Sequence, residues 1–229
     1  METIRINTYI SKAGVYSRRE ADRLIEDGKV KINDAVAKLG DRVSPEDRVT
    51  VNDELISATT EKIYIAFHKP FGVITTSDKQ SDNNVMEYID LPTRVYPIGR
   101  LDVQSSGLLL LTNDGVIVNT ILKSEHKKEK EYIVTLNKPI TPKDIERLAN
   151  GVLLNDQRTL PAKVRSIAPN KINIILIQGL NRQIRRMCEV LGYNVAGLQR
   201  IRIGTIQLDD LASGKWRVLT EKEIEDLKK

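Results

Sequence analysis

Hydrophobic and polar positions in the first 57 residues predict a small unit of helices and short strands. Ser17-Arg18-Arg19-Glu20 matches a capping box, in which the first and last of the four residues satisfy each other's backbone amides at a helix start. Gly28 stands where that helix should end. The apolar triplets Val30–Ile32 and Val49–Val51 are each followed by a pair of turn-forming residues, which predicts strands that end in turns.

Beyond residue 61, strand-like and helix-like patterns follow one another without a regular repeat. The strand patterns lie at 63–68, 73–76, 108–111, 132–136 and 171–177. The consecutive leucines of 108–111 are expected in a strand that is buried on both faces. Helices are predicted after Thr141-Pro142, over 181–191, and after a capping box of Thr220 and Glu223. Because strands and helices do not alternate regularly, we predict the α+β class with a mixed, mostly antiparallel sheet.

A small, polar segment at 57–61 is typical of a linker between these two parts. We therefore predict two domains, 1–57 and 62–229. No stretch approaches the roughly 18 consecutive apolar residues that a membrane-spanning helix needs. The N-terminus also lacks the apolar run and cleavage site of a secretion signal. A cytoplasmic protein without a membrane partner is expected.

Composition and charge narrow the chemistry. Cys188 is the only cysteine, which excludes an internal disulfide, and His68 and His126 are too few to complete a structural zinc site. The net charge of +5 favours a polyanionic partner without proving one. The excess is local, since residues 178–202 hold five arginines against one acid, Glu189. Aromatic residues are sparse, so recognition by many stacked bases is not expected.

One carboxylate, Asp102, lies in a predicted loop just before the leucine run. A side chain there is held by a rigid scaffold and can still face a cleft. Arg100 lies two residues away. The alternative reading is a turn aspartate that only caps a neighbouring amide.

The predicted helix 181–191 has an apolar face and a basic face. The apolar face is formed at i, i+3, i+4 and i+7 by Ile184, Met187, Cys188 and Leu191. Arg182 and Arg186 lie opposite and could contact phosphates, or could simply be solvated. Arg185 lies at the margin, from which it could turn inward to a buried carboxylate.

The segment 130–134 alternates as a strand does, which places Tyr132 and Val134 on the same face. Tyr132 could fill the core. It could instead stack on a base and leave its hydroxyl in water.

Together these segments resemble the pseudouridine synthases. GRLDVQSSGLLLLTNDG is similar to the signature of the RsuA family, the branch that modifies ribosomal RNA in bacteria, and KEYIV, NRQIRRM and GLQRIRIG follow in that family's order. GLNRQIRRMCE is similar to the large-subunit synthase F type. The first 57 residues resemble the S4-type RNA-binding domain, which is a small α/β unit. The resemblance spans nearly the whole chain.

The resemblance implies a catalytic domain with a central cleft, which breaks the bond from uracil N1 to the ribose, turns the base and rejoins it through C5. This chemistry uses no cofactor and no metal. Asp102 would be the essential carboxylate, Arg185 would pair with it and keep it charged, and Tyr132 would stack on the base. The residues implied to contact the substrate are Arg100, Leu101, Arg182, Arg186, Leu198 and Arg200.

The implied partner is structured RNA, with 23S ribosomal RNA favoured and transfer RNA as an alternative or second substrate. The target uridine must leave its stack, which costs a few kcal/mol and is easiest for an unpaired base. Candidate phosphate contacts in the S4-like unit are Lys12, Arg18, Arg19 and Arg23. They must form one face, because residues 1–57 hold 10 basic and 11 acidic side chains. A monomer is expected, and the alternative function is a non-catalytic RNA-binding assembly factor.

Overall fold

A computed structural model describes residues 3–56, 61–78, 81–122 and 128–229. The chain divides into two compact units. The first comprises Met1–Ile63, Leu91–Tyr96 and Thr112–Gly115, and the second comprises Tyr64–Asp90, Pro97–Leu111 and Val116–Lys229. The predicted linker at 57–61 lies almost entirely outside the described residues, so the domain boundary there stays a prediction.

The N-terminal part of the first unit is built from short elements. These are β1 (Ile4–Arg5), α1 (Ile6–Lys12), α2 (Arg18–Glu26), β2 (Val30–Ile32), β3 (Ala35–Val36), β4 (Arg42–Val43), β5 (Val49–Val51) and β6 (Glu54–Leu55). The capping box is confirmed, since the Ser17 side chain accepts from the Glu20 amide and the Glu20 carboxylate accepts from the Ser17 amide. The turns after β2 and β5 are confirmed too, because Asn33 and Asn52 and the aspartates that follow them have positive φ.

The remaining elements follow in chain order. They are β7 (Tyr64–Lys69), a 3₁₀ turn (Val85–Tyr88), β8 (Tyr96–Pro97), β9 (Ser106–Thr112), α3 (Gly115–Leu122), β10 (Lys130–Leu136), α4 (Pro142–Ala149), β11 (Leu153–Leu154), β12 (Gln157–Arg158), β13 (Lys163–Ala168), β14 (Lys171–Leu176), α5 (Gln183–Val190), β15 (Val195–Ile203), β16 (Ile206–Gln207), β17 (Trp216–Val218) and α6 (Glu221–Lys228). Thr141 and Thr220 cap α4 and α6 as predicted. None of the helices in the described ranges is long and apolar enough to cross a membrane.

The main sheet has the strand order β13-β14-β10-β15-β9-β7-β17, with β16 added beside β15 and β8 beside β9. Most neighbours are antiparallel, and β9 runs parallel to β15, which confirms the predicted mixed sheet. The predicted strand at 73–76 is wrong. That segment forms only an isolated bridge from Ile74 to Asn84, because its backbone and side chains are engaged with neighbouring loops.

Two apolar clusters cover this sheet. One gathers buried residues of β10, β14 and β15 under α4 and α5, including Ile184, Met187 and Cys188 of the predicted apolar face. The other gathers β7 and β9 with α3 and α6. The leucines of 108–111 are at most 1% exposed, as the uninterrupted apolar run predicted. Strand β9, which carries that run, therefore provides a rigid base for the loop that precedes it.

Candidate active site

The loop before β9 holds Asp102 at the edge of a cavity of about 460 Å³. This volume lies within the range of roughly 300 to 1,000 Å³ that small-molecule sites occupy. Asp102 is partly exposed, whereas Leu101 before it is buried. The carboxylate therefore projects from a loop that is fixed on one side by the core.

Hydrogen bonds hold the backbone of this loop on every residue from 101 to 105. The donors to successive carbonyl oxygens are the Thr75 hydroxyl to Leu101 (2.7 Å), the Ser105 amide to Asp102 (3.0 Å), the Gly72 amide to Val103 (2.8 Å), Arg185 Nη2 to Gln104 (2.6 Å) and Lys69 Nζ to Ser105 (2.8 Å). A loop whose carbonyls are all bonded has few alternative conformations. The backbone that carries the Asp102 carboxylate is thereby fixed before any ligand binds.

Arg185 does not form the ion pair with Asp102 that the resemblance implied. Among the described residues, neither side chain takes part in a salt bridge within 4.0 Å. Instead, Arg185 donates to the carbonyl oxygens of Gln104 and Val195. It lies near enough for Asp102 to raise its pKa, although burial and Arg182 have the larger opposite effect and lower it overall. Arg185 thus supports the loop that carries Asp102 and acts on the carboxylate through space.

Sequence reasoning missed Lys69, which is completely buried beneath the same loop. Its ammonium donates to the carbonyl oxygens of Pro70 and Ser105, both at 2.8 Å. Burial lowers the pKa of Lys69 to about 8, and the nearby charge of Asp102 partly offsets that shift. The only sequence signal is a lysine directly after the predicted strand 63–68, in the sequence Lys69-Pro70-Phe71-Gly72, which is typical of a turn.

The cavity has apolar walls and polar ends. Tyr132 on β10 and Leu198 on β15 both line it, together with Leu176 and Ile203. Tyr132 is half-buried, so the sequence alternatives of core filler and accessible ring are resolved in favour of a ring that borders the cavity. Flat apolar walls of this kind suit the faces of an aromatic ring.

Several of the predicted substrate contacts line the same cavity. These are Arg100, Leu101, Arg182, Leu198 and Arg200, and Arg100 and Arg182 are exposed. Arg186 is not among the residues that line it. Arg202 belongs to the basic segment 178–202. It is paired with Glu129 (3.1 Å) and Glu131 (2.6 Å), two acids that lie outside this segment in the sequence. Its charge is therefore neutralised locally.

Arg200 is buried in the floor of the cavity and is only 3% exposed. Its Nε donates to the carbonyl oxygen of Leu108 at 2.7 Å, while its Nη2 is buried and has no hydrogen-bond partner among the described residues. The backbone of Arg200 lies so close to Gly107 of β9 that a side chain at 107 would collide with it. Gly107 therefore lets the strand that follows Asp102 pack against the strand that carries Arg200.

The basic residues predicted in the N-terminal unit are all on the surface. Lys12 lies at the end of α1, and Arg18, Arg19 and Arg23 lie on α2. All four side chains are exposed, and none forms a salt bridge with another described residue. They are free to contact an anionic partner.

Neither Cys188 nor any described group of potential metal ligands adds a second site. Cys188 is buried in the core, and burial raises the pKa of its thiol to about 12, so it stays protonated. Within the part of the chain that the structure describes, no group of three His, Cys, Asp or Glu side chains could hold a metal ion. His126 lies outside that part.

The sequence matches two family models. The model described as RNA pseudouridylate synthase matches residues 63–190, and the S4 domain model matches residues 4–49. They fall in the order that the resemblance predicted.

Two relatives and a solved structure extend this similarity over nearly the whole chain. The dual-specificity RNA pseudouridine synthase RluF of Escherichia coli (strain K12) is 45% identical over 227 residues, which are 98% of this chain and 78% of the relative. The ribosomal large subunit pseudouridine synthase B of Bacillus subtilis (strain 168) is 37% identical over 234 residues, which cover 98% of this chain and 95% of the relative. A pseudouridylate synthase crystal structure, 34% identical, covers 98% of this chain and 99% of its own with a TM-score of 0.73.

Proposed function

Since the chain belongs to the RNA pseudouridylate synthase family and is an RNA uridine isomerase, we propose that Asp102 is the carboxylate with which it converts uridine to pseudouridine. One observation carries this assignment. Asp102 is partly exposed beside a cavity of about 460 Å³, which is large enough for a base, on a loop whose backbone is bonded at every carbonyl from 101 to 105. A group held in this way is positioned for chemistry before the substrate arrives.

The reaction conserves all atoms of the nucleoside. The bond from N1 to C1′ breaks, a bond from C5 to C1′ forms, C5 loses a proton and N1 gains one. A charged carboxylate can assist by attacking the sugar or by accepting a proton. Lys69 and Arg185 both interact electrostatically with Asp102, so two cations lie near this carboxylate.

Tyr132 and Leu198 are proposed to hold the extruded base between them, with Tyr132 stacked on one face. Support comes from their shared lining of the cavity and from the strand pairing, in which Leu198 lies opposite Val134 and Arg200 opposite Tyr132. Arg100 and Arg182 are exposed beside the cavity, where they can contact the phosphates of the flipped nucleotide. A non-catalytic binding protein would not need this combination around Asp102.

The substrate is proposed to be 23S ribosomal RNA, at a uridine in a loop or helix junction. The Bacillus subtilis relative is named for the large ribosomal subunit, and the S4 domain at the N-terminus offers exposed cations on α2. The Escherichia coli relative is named for dual specificity, which makes transfer RNA the second substrate to test. We further propose that the protein acts in the cytoplasm as a monomer, with 1–57 binding RNA and 62–229 performing catalysis.

Pseudouridine mapping tests the substrate. Total RNA from cells with and without this protein is treated with carbodiimide and read by primer extension. A stop that disappears from 23S ribosomal RNA in the deleted cells, and returns with the wild-type gene, is expected. Loss of stops from transfer RNA alone would contradict the ribosomal assignment.

The oligomeric state is tested by light scattering of the purified protein. A measured mass twice that of one chain would contradict the proposed monomer.

A further inference from the structure

The floor of the cavity contains a cation that the folded protein leaves incompletely bonded. Arg200 is 3% exposed, and no carboxylate lies within 4.0 Å of it in the described ranges. Only its Nε has a hydrogen-bond partner there. Ser105, which is 1% exposed and also lines the cavity, has a second buried group, its hydroxyl, that lacks a partner in the same ranges. Such groups are costly to bury unless a ligand or water supplies the missing acceptors.

The missing acceptor is best supplied by the edge of a base. The exposed guanidinium groups of Arg100 and Arg182 are accessible to phosphates, whereas Arg200 lies deep on β15. A nucleotide that enters base-first brings its ring edge, and not its phosphate, to the floor. The apolar residues Leu176, Leu198 and Ile203 suit the faces of the ring.

Uracil presents a carbonyl oxygen to such a donor throughout the reaction. Once N1 is released, a half-turn about the axis from N3 to C6 exchanges N1 with C5, and it also exchanges O2 with O4. One fixed donor therefore meets a carbonyl oxygen before and after the turn. Cytosine would present an amino group in one of the two orientations, and a cation cannot accept a hydrogen bond from it.

We propose that Arg200 is a specificity-determining residue, whose guanidinium donates a hydrogen bond to the O2 or O4 carbonyl of the target uracil and helps to exclude cytosine. This inference rests on the proposed function, because it needs a uridine in the cavity. It assigns to Arg200 a contact with the base, and Gly107 then serves to bring Arg200 and the Asp102 loop together.

The test replaces the acceptor and the donor in turn. Single-turnover rates are measured on a target RNA with uridine, 2-thiouridine or 4-thiouridine at the modified position, since sulfur is a poorer acceptor than oxygen. For the wild-type protein we expect at least one thio-substrate to react about tenfold more slowly. Arg200→Gln should lower the rate on uridine by roughly 10- to 100-fold and reduce that thio effect severalfold. Arg200→Lys should retain part of both.

Arg202→Gln is the matched control, because Arg202 lies on the same strand and its guanidinium is occupied by Glu129 and Glu131. It should keep the wild-type thio effect. The thio effect is the ratio of two rates measured with the same protein. A partly unfolded fraction lowers both rates equally and leaves this ratio unchanged. If the rate of Arg200→Gln is too slow to measure, the uridine RNA and the thio-substituted RNA are compared by their binding affinities instead. Both Arg200→Gln and the wild-type Arg200 are then measured in proteins that also carry Asp102→Asn.

The outcomes distinguish the contact between Arg200 and the base from the proposed function. A thio effect in Arg200→Gln equal to that of the wild type would overturn the contact with the base, even if the rate falls. An absence of any thio effect in the wild type would overturn it as well. A wild-type protein that forms no pseudouridine from the uridine RNA, at any site and with ribosomal and transfer RNA alike, would instead reject the proposed function.

Discussion

Gly107 and Arg200 lie side by side in parallel strands, and only the absence of a side chain at 107 allows this approach. A Cβ at Gly107 would lie 2.6 Å from the backbone nitrogen of Arg200 and closer still to its carbonyl oxygen. Gly107 also has φ of +107°, a conformation that other residues rarely adopt. The contact joins the strand after Asp102 to the floor of the cavity.

We expect Gly107→Ala to lower the free energy of unfolding by roughly 3 kcal/mol or more, because both the overlap and the backbone conformation oppose it. Urea denaturation followed by circular dichroism measures the change. Gly179→Ala is the control, since a Cβ there meets nothing within 4 Å and its φ is not positive. Equal stability of the two variants would show that the strands can separate without loss.

The sequence predicts those features of this arrangement that depend on residues close together in the chain. The capping boxes at Ser17 and Thr220 were predicted because both partners lie within four residues. The parallel pairing of β9 with β15 joins residues more than 90 positions apart, and no local pattern encodes it. The segment 73–76 was predicted as a strand, but Thr75 uses its hydroxyl to hold Leu101.

The candidate site shows the same division. Asp102 stood out because a carboxylate preceded a buried strand, whereas the partners of Arg185 could not be predicted. They are backbone carbonyls of Gln104 and Val195, which carry no sequence signal. Lys69 was missed because a lysine in a turn sequence is normally solvated, and its burial becomes visible only in three dimensions.

The isomerisation rate should fall as pH rises through about 8, the lowered pKa of Lys69, because the ammonium then loses its charge beneath the Asp102 loop. Lys69→Arg should move this fall to higher pH, since a guanidinium stays protonated. Single-turnover rates between about pH 6.5 and about pH 9.5 measure both profiles. A wild-type rate that stays level to the upper limit, or the same fall in Lys69→Arg, would contradict a role for this charge.

The same shift affects stability with the opposite trend. The folded state releases the Lys69 proton near pH 8, whereas the unfolded chain holds it up to about pH 10.5. Between these values the unfolded state binds more protons, so the contribution of Lys69 to stability rises with pH. Lys69→Met should remove that rise, as measured by the difference in urea unfolding free energy between pH 8 and 10. If the unfolding free energy of the wild type rises between about pH 8 and about pH 10 by no more than that of Lys69→Met, the burial of a charged lysine would be contradicted.

Arg185→Lys should slow isomerisation on the order of 100-fold, because one ammonium cannot replace the planar donor that joins Gln104 to Val195. RNA affinity should change little, since Arg185 is half-buried and bonded within the protein. Rates and filter-binding affinities on the same RNA separate the two effects. Loss of affinity with an unchanged rate would indicate that Arg185 contacts RNA directly.

Replacing Arg18 and Arg19 with Ala should weaken RNA binding and reduce the dependence of affinity on salt by roughly one unit of slope for each phosphate contact removed. The control is the pair Lys29→Ala and Arg48→Ala. These side chains belong to the same unit but are already paired with Asp27 and Asp34. If the two double variants have the same slope, the exposed arginines of α2 are not phosphate contacts.

The most direct measurement is pseudouridine formation by Asp102→Asn on the RNA that the wild-type protein modifies. Asparagine keeps the size of the side chain but not its negative charge, and Asp210→Asn, at an exposed position, is the matched control. We expect no alkali-resistant carbodiimide adduct, and so no primer-extension stop, from Asp102→Asn, with unchanged folding and RNA affinity, and full activity from the control. Product from Asp102→Asn at a rate comparable to the wild type would contradict the assignment of Asp102 as the essential carboxylate.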